Sequence, residues 1–176
     1  MKQTAVTPVV LGLLALGPRS GYDIKGAVDR STRFFWAASY GQIYPELRRL
    51  EDEGLIVGEH APNGKRSRRV YELTDAGRSA LEAWLLGSSV TIEYRDESLL
   101  RLFFADALPR EQALNLLEGR KRGHEEYLDV LRAIDDRPGR DPDFVDLVLR
   151  WGIDFNEWGR QWCEQHLQRL RRTKRR

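Results

Sequence analysis

The sequence predicts a mainly α-helical chain with one small β-hairpin. It divides into a mixed N-terminal part, residues 1–87, and an all-helical C-terminal part, residues 88–176. Three observations lead there. Ser20 and Ser39 each stand three residues before a side chain that can complete a capping box, Asp23 and Gln42. An Asn-Gly pair, Asn63-Gly64, lies between two short apolar runs. After Gly87-Ser88-Ser89, the apolar residues recur only at helical spacing.

A chain of 176 residues holds one or two small domains with a real core. With 41% hydrophobic and 32% charged residues, wholesale disorder is excluded. The longest apolar run, Val9 to Gly17, is less than half the length a bilayer span needs. Lys2 is the only charge before it, Pro8 immediately precedes it, and no small-x-small cleavage site follows, so it does not read as a signal peptide. The single cysteine, Cys163, rules out an intrachain disulfide. Together these point to a cytoplasmic protein without a membrane partner. The net charge of +2 hides an uneven distribution. Residues 1–87 carry 12 Lys/Arg against 10 Asp/Glu, residues 88–168 carry 11 against 17, and the last eight residues hold six cations. Local basic clusters can meet phosphate even in a nearly neutral chain.

Val6 to Leu16 reads as a buried helix stopped by Gly17-Pro18. Ser20 opens a second helix through about Ser31, with Ile24, Ala27 and Val28 on one face; Phe34-Phe35-Trp36 follows as an aromatic connector. Ser39 opens a third helix in which Ile43, Leu47 and Leu50 form one apolar stripe, with Gly54 as its stop. Pro45 lies beyond its first turn, where a bend or loosened turn is expected. Leu55-Ile56-Val57 and Val70 to Leu73 read as strands around the turn-rich Ala61-Pro62-Asn63-Gly64, and Thr74 caps a helix to about Leu86. Three helices, a hairpin and a helix in this order match a winged helix-turn-helix. Beyond the linker, one helix is expected over Glu93 to Ala107 and another from Pro109 to about Asp136. After a turn at Arg137 to Arg140, Asp141-Pro142 opens a last helix to about Arg171.

The third helix is the first functional candidate. With Ile43, Leu47 and Leu50 turned inward, helical geometry turns Gly41, Gln42, Pro45, Arg48 and Arg49 outward, with Ser39 at the exposed N-terminal end. Such an end presents side chains to base edges in the major groove, where Gln pairs with adenine and Arg with guanine. The second candidate is Lys65-Arg66-Ser67-Arg68-Arg69, four cations in five positions just after the hairpin turn. A basic tip suits the phosphate backbone or minor groove. Each signal alone also fits a solvated surface; their adjacency favours DNA.

Leu11-Gly12-Leu13-Leu14 with Gly21-Tyr22-Asp23-Ile24 resembles the opening of the PadR-like transcriptional regulators. Tyr40 through Glu51 resembles that family's reading helix, and Arg69 through Gly77 its wing return. Leu99 through Phe104 and the long last helix resemble the branch with a virulence-activator-like C-terminal domain. The resemblance implies a dimeric bacterial DNA-binding regulator, most often a repressor of detoxification, efflux or phenolic-acid genes, released by a small molecule. The DNA-contacting set is then Ser39, Tyr40, Gln42, Tyr44, Arg48 and Arg49 on the helix, with Gly64, Lys65, Arg66 and Arg68 at the wing. One departure is Ser67, where many members carry proline in the wing turn.

On the last helix, Phe144, Val148, Trp151, Phe155, Trp158 and Trp162 follow a heptad-like 4-3-4-3-4 spacing. So wide an aromatic seam is not left in water. It is expected to pair with a second subunit, with an effector pocket or an intrachain hairpin core as the other uses. Leu114, Leu117, Leu128 and Leu131 form a weaker stripe on the preceding helix. The basic tail is expected to be solvated. Cys163 and His166 share a helix face, but no third ligand stands near, and no nucleophile or phosphate-loop motif occurs. The sequence therefore predicts no enzyme, no metal and no cofactor. The expected partners are an operator, a second copy and a small aromatic effector. A winged-helix adaptor that captures protein without reading DNA is the alternative.

Overall fold

The computed structural model describes residues 4–17, 19–63, 66–88, 92, 95–135 and 143–172, with 61–63, 66 and 67 described by their backbone alone. The chain forms two compact units, Met1–Thr91 and Ile92–Arg176.

The first unit runs α1 (Thr7–Ala15), β1 (Arg19–Ser20), α2 (Gly21–Arg30), a short 3-10 turn at Thr32–Phe34, α3 (Tyr40–Asp52), β2 (Ile56–Asn63), β3 (Arg66–Leu73) and α4 (Asp75–Leu85). Its capping chemistry is local and was readable in advance. Ser20 Oγ accepts from Asp23 N–H at 3.3 Å while Asp23 accepts from Ser20 N–H at 3.0 Å, and Thr74 Oγ1 accepts from Gly77 N–H at 3.1 Å. The end of α3 is a Schellman turn. Gly54 takes a φ of 71°, Leu55 N–H donates to Leu50 O at 2.9 Å, and Gly54 N–H donates to Glu51 O at 3.0 Å.

The aromatic connector is anchored by Trp36, whose indole donates to Ala5 O at 2.7 Å. Ile24, Val28, Ile43, Leu47 and Leu50 are fully buried together with Val10 and Leu11 of α1, under Ile56, Tyr71 and Leu73 of the sheet. The expected stripe of α3 is therefore the centre of this core.

The sheet is antiparallel with order β1-β3-β2. Its first strand, two residues pairing Arg19 with Tyr71 and Ser20 with Val70, is too short to carry a sequence signal. The hairpin is longer than expected: the ladder continues through Ala61 and Pro62 to the pair Asn63–Arg66. Asn63 is thus the last ladder residue of β2, and Gly64 and Lys65 lie outside the described residues. Pro62 is tolerated because β2 is an edge strand, where a missing N–H can face solvent.

The second unit consists of α5 (Glu97–Phe103), a 3-10 turn at Ala105–Ala107, α6 (Arg110–Asp135) and α7 (Phe144–Arg172). The single helix expected from Glu93 to Ala107 is corrected to this shorter helix and turn. Asp96 is the N-cap, its carboxylate accepting from Leu99 N–H at 3.0 Å and from Arg120 of α6 at 2.6 Å. Burial alone would raise its pKa, but the bonds from Ser98 and Arg120 hold the carboxyl well below the usual range. Pro109 precedes α6 by one residue, its carbonyl accepting from Ala113 N–H at 3.0 Å. The turn expected at Arg137 to Arg140 and the Asp141-Pro142 cap lie outside the described residues.

Helices α6 and α7 pack antiparallel, Leu117 meeting Cys163 and Leu167 at one end and Leu131 meeting Gly152 at the other. Lys121–Glu164, Arg132–Glu157 and Arg171–Glu118 bridge their edges. The buried stripe of α7 is Leu149, Ile153, Gly159, Cys163 and Leu167. Gly152 and Gly159 are small because α6 side chains occupy their space: a Cβ on Gly159 would lie 2.5 Å from the His124 ring. That ring is buried, and its Nδ1 lies 2.9 Å from Asn156 Oδ1. Because Asn156 Nδ2 donates to Gly152 O, its Oδ1 is the accepting end and His124 Nδ1 carries the proton.

Gly77 tests the packing of the first unit. A Cβ there would lie 2.0 Å from the backbone oxygen of Leu55, which cannot step aside. Replacing a helical glycine by alanine ordinarily gains up to about 1 kcal/mol. Gly77→Ala should instead lose about 1–3 kcal/mol in urea unfolding; a neutral or stabilising result contradicts the packing described.

Candidate nucleic-acid interface

The N-terminal half of α3 is held at its start by Gln42, whose Oε1 accepts from both the N–H and the hydroxyl of Ser39 at 3.0 Å. With Ile43, Leu47 and Leu50 at 0% exposure, Ser39, Tyr40, Gly41, Gln42, Tyr44, Pro45 and Arg48 all face solvent. The helix continues unbroken through Pro45, whose missing N–H leaves the carbonyl of Gly41 without its helical donor on this exposed face.

The two tyrosines are fixed as a pair. Their rings stack at 6.1 Å between centroids and 20° between planes. Lys25 of α2 lies 5.6 Å from the Tyr40 centroid, and a Cβ on Gly21 would reach within 2.7 Å of the Tyr44 ring. Glycine at position 21 is what lets α2 approach so closely. Arg48 makes no ion pair among the described residues.

Arg49 is a correction. It was expected to face outward with Arg48, but its guanidinium turns toward α1. Nη2 donates to Glu46 Oε1 at 2.6 Å and to Thr7 Oγ1 at 3.1 Å, Nε donates to Glu46 Oε2 at 3.2 Å, and Nη1 donates to Glu53 Oε1 at 2.5 Å. The cause is Glu46, a carboxylate only 4% exposed that also accepts from the Thr7 hydroxyl at 2.5 Å. A buried carboxylate needs donors and a counter-charge, and Arg49, one turn along, supplies both. Sequence spacing missed Glu46 because it borders the apolar stripe, and charge alone suggests exposure.

At the wing, Gly64 and Lys65 lie outside the described residues, and Arg66 and Ser67 are described by backbone only. Ser67 pairs with Pro62 within the ladder. Arg68 is exposed, with one guanidinium nitrogen 3.4 Å from Asp23. The Ser20 hydroxyl, more than Arg68, holds the Asp23 carboxyl below its ordinary value. Arg69, the last cation of the run, is bound to Glu51.

Most of the aromatic seam of α7 lies off the intrachain core, although Trp162 packs against Leu117, Cys163 and Leu167 and Phe155 meets the His124 ring at 6.1 Å. At 3.6 residues per turn the seam lies about a third of a turn from the buried stripe. Phe144 is 86% exposed, Trp151 61% and Trp158 60%, with Val148 also exposed and Phe155 and Trp162 half-buried. Trp151 and Phe155 stack at 5.4 Å and 9°, and Trp162 meets His166 at 4.4 Å. Cys163 belongs to the buried, apolar stripe, where burial pushes its thiol pKa up. An open groove of about 440 Å³ in this unit is lined by Leu100, Phe104, Leu108 and Leu116. Among the described residues no three His, Cys, Asp or Glu side chains cluster to hold a metal, and no helix is long and apolar enough to cross a membrane.

Comparison with known proteins bears on both units. Residues 10–83 match the transcriptional regulator PadR-like family, and residues 94–171 match the virulence activator alpha C-terminal domain. The negative transcriptional regulator PadR of Bacillus subtilis is 39% identical over 111 residues, covering 62% of this chain and 61% of that protein's length. The crystal structure of Bacillus subtilis PadR in complex with operator DNA superposes with a TM-score of 0.84 at 29% identity, covering 95% of this chain and 99% of that one. Its complex with p-coumaric acid gives 0.78 at 29% identity, covering 98% of this chain and all of that one.

The Glu46 cluster has a pH signature. Burial by itself would raise the Glu46 pKa, but the bonds from Arg49 and Thr7 outweigh it and hold the carboxyl below its ordinary value. A carboxylate depressed on folding stabilises above its unfolded pKa and loses that contribution as pH falls through the folded one. Glu46→Gln should therefore lower stability by about 1–3 kcal/mol at pH 7. The difference from the parent should shrink steadily below about pH 4. A pH-independent difference in thermal unfolding would show that Glu46 is not ionised in the folded unit.

Proposed function

The chain belongs to the PadR-like transcriptional regulators, and from that premise we propose that it is a cytoplasmic, homodimeric repressor that reads a pseudo-palindromic operator and is released by a small aromatic effector. Residues 1–87 serve as the DNA-binding winged helix, and residues 88–176 serve dimerisation and effector binding. The family regulates transcription and does not catalyse reactions.

The observation that carries the proposal is the outward row on α3. Ser39, Tyr40, Gln42, Tyr44 and Arg48 are all exposed, with Tyr40, Tyr44 and Arg48 in one i, i+4, i+8 row and Ser39 and Gln42 at the N-terminal turn, while the stripe of Ile43, Leu47 and Leu50 is locked into the core. Placed in the major groove, Gln42, whose Oε1 is held by Ser39, offers its amide NH2 to a base edge, and Arg48 a guanidinium to guanine or phosphate. Gly64, Lys65, Arg66 and Arg68 of the wing then meet the flanking backbone. The Bacillus subtilis regulator, named as a negative one and solved on its operator, supports the repressor reading.

Dimerisation is supported by the exposed row of Phe144, Val148, Trp151 and Trp158, a surface whose burial against its copy would contribute about 25 cal/mol per Å². Phe155 and Trp162 extend the same face at half burial. Two-fold symmetry then requires half-sites one or two helical turns apart. The p-coumaric acid complex of the Bacillus relative supports a flat aromatic effector. The effector acts only through unequal affinity for the DNA-competent and released states; about 100-fold release needs roughly 2.7 kcal/mol of coupling.

Selection from a randomised duplex pool should enrich an inverted repeat. On that duplex, Gln42→Ala should relax preference at one position per half-site by about 1–3 kcal/mol. Arg66→Ala should weaken all DNA alike and flatten the salt slope by about one unit. Both variants binding like the parent would remove the contact assignment. Trp151→Glu with Trp158→Glu should sediment as a monomer and lose operator affinity. A dimer that persists in this variant places the interface elsewhere.

A further inference from the structure

We propose that Glu51 and Arg69 act as a positioning strut that sets the angle of the wing against α3; this rests on the DNA-reading function proposed above. Arg69 ends the basic run of the wing, and by charge alone it belongs with the phosphate-binding cations. Its Nη2 instead donates to Glu51 Oε1 at 2.5 Å, and the same oxygen accepts the Gly58 N–H at 3.0 Å. Glu51 is in the last turn of α3, Gly58 on β2 and Arg69 on β3. One carboxylate oxygen thus joins the reading helix to both strands of the wing.

Two further observations point the same way. Gly58 pairs with Tyr71 across the ladder, and a Cβ on it would lie 2.5 Å from Arg69 Nε and 2.8 Å from Glu51 Oε1. Glycine weakens a strand interior, so its presence here fits the need for that space. The guanidinium also lies 5.8 Å from the centroid of Tyr71, a ring held by the core at 7% exposure. The pair itself is only half-buried, with Arg69 43% and Glu51 26% exposed, and pairs of that kind add little stability. Its effect is geometric.

The hairpin runs from the pair Ile56–Leu73 to the pair Asn63–Arg66, so its tip stands about 24 Å from its base at 3.4 Å per residue. A swing of about 10° at the base moves that tip by about 4 Å, well beyond the tolerance of a hydrogen bond. A contact near the base therefore controls where the wing cations land.

The test uses the full-length protein and the duplex it selects from a randomised pool, with a scrambled duplex as reference. Glu51→Gln and Arg69→Gln should each lower the ratio of selected to scrambled affinity about tenfold, and the double variant no further than either. Uniform electrostatic changes cancel in this ratio. The salt slope of Arg69→Gln should match the parent, because Arg69 is neutralised by Glu51 rather than by phosphate. Gly58→Ala should reproduce the fall in ratio.

A lowered melting temperature with an unchanged ratio would reduce the pair to a structural role and overturn the proposal. So would a salt slope flattened by about one unit in Arg69→Gln, the mark of a phosphate contact. A pool that enriches no sequence would remove the DNA-reading function itself, an outcome distinct from either.

Discussion

The arrangement of the N-terminal unit depends on the burial of Ile43, Leu47 and Leu50, three side chains of one helix stripe that lie at 0% exposure between α1, α2 and the sheet. Removing each from water contributes about 1.5–3 kcal/mol, so the three together approach the whole stability of a small domain. Rotating α3 about its axis would forfeit that burial. The exposed arc of α3 is consequently set by the core rather than by any ligand, and it carries Tyr40, Tyr44 and Arg48 in one row, with Ser39 and Gln42 at the N-terminal turn, into solvent in a fixed orientation. The ends are closed by the Ser39–Gln42 bonds and by the Schellman turn at Gly54, and the helix is tied laterally to α1 through Thr7 and Glu46. A surface held this way would lose little conformational freedom on binding a ligand.

Interactions confined to neighbouring residues were legible in the sequence. The boxes at Ser20 and Ser39, the Thr74 cap, the Gly54 stop and the apolar stripe of α3 all follow from side-chain chemistry within one or two turns. Contacts between distant segments were not. Strand β1 exists only because Arg19 and Ser20 meet Tyr71 and Val70, some fifty residues on. Arg49 looked like a solvent cation until Thr7 and Glu46 claimed it, and Thr7 lies 42 residues away. The wing outgrew its expected strands because an edge position admits Pro62, which the local turn signal had assigned to a loop.

In the helical unit the loudest pattern was misleading about the intrachain core and informative about the surface. Large aromatics dominate α7, yet the stripe that meets α6 is Leu149, Ile153, Gly159, Cys163 and Leu167, with Gly152 admitting Leu131 at its edge. Small residues carry almost no hydrophobic signal; their importance comes from what they admit, here Leu131 and His124. With α6 served by that stripe, Phe144, Trp151 and Trp158 stay uncovered within the chain, a state that calls for a second surface. The shortened α5 begins at the Asp96 cap, and the second oxygen of that carboxylate is held by Arg120 of α6, a partner distant in sequence.

The central claim is that the outward face of α3 reads sequence, with charge at the wing supplying affinity that is blind to it. Fluorescence anisotropy of the purified protein on duplexes tiled across its own upstream region, with a scrambled control and several salt concentrations, addresses that claim directly. The account predicts one tile bound about 10³-fold or more tighter than the control, with the preference kept as salt rises. Equal, weak binding of every tile and of promoter regions elsewhere, falling steeply with salt, would contradict it and leave only basic patches meeting phosphate.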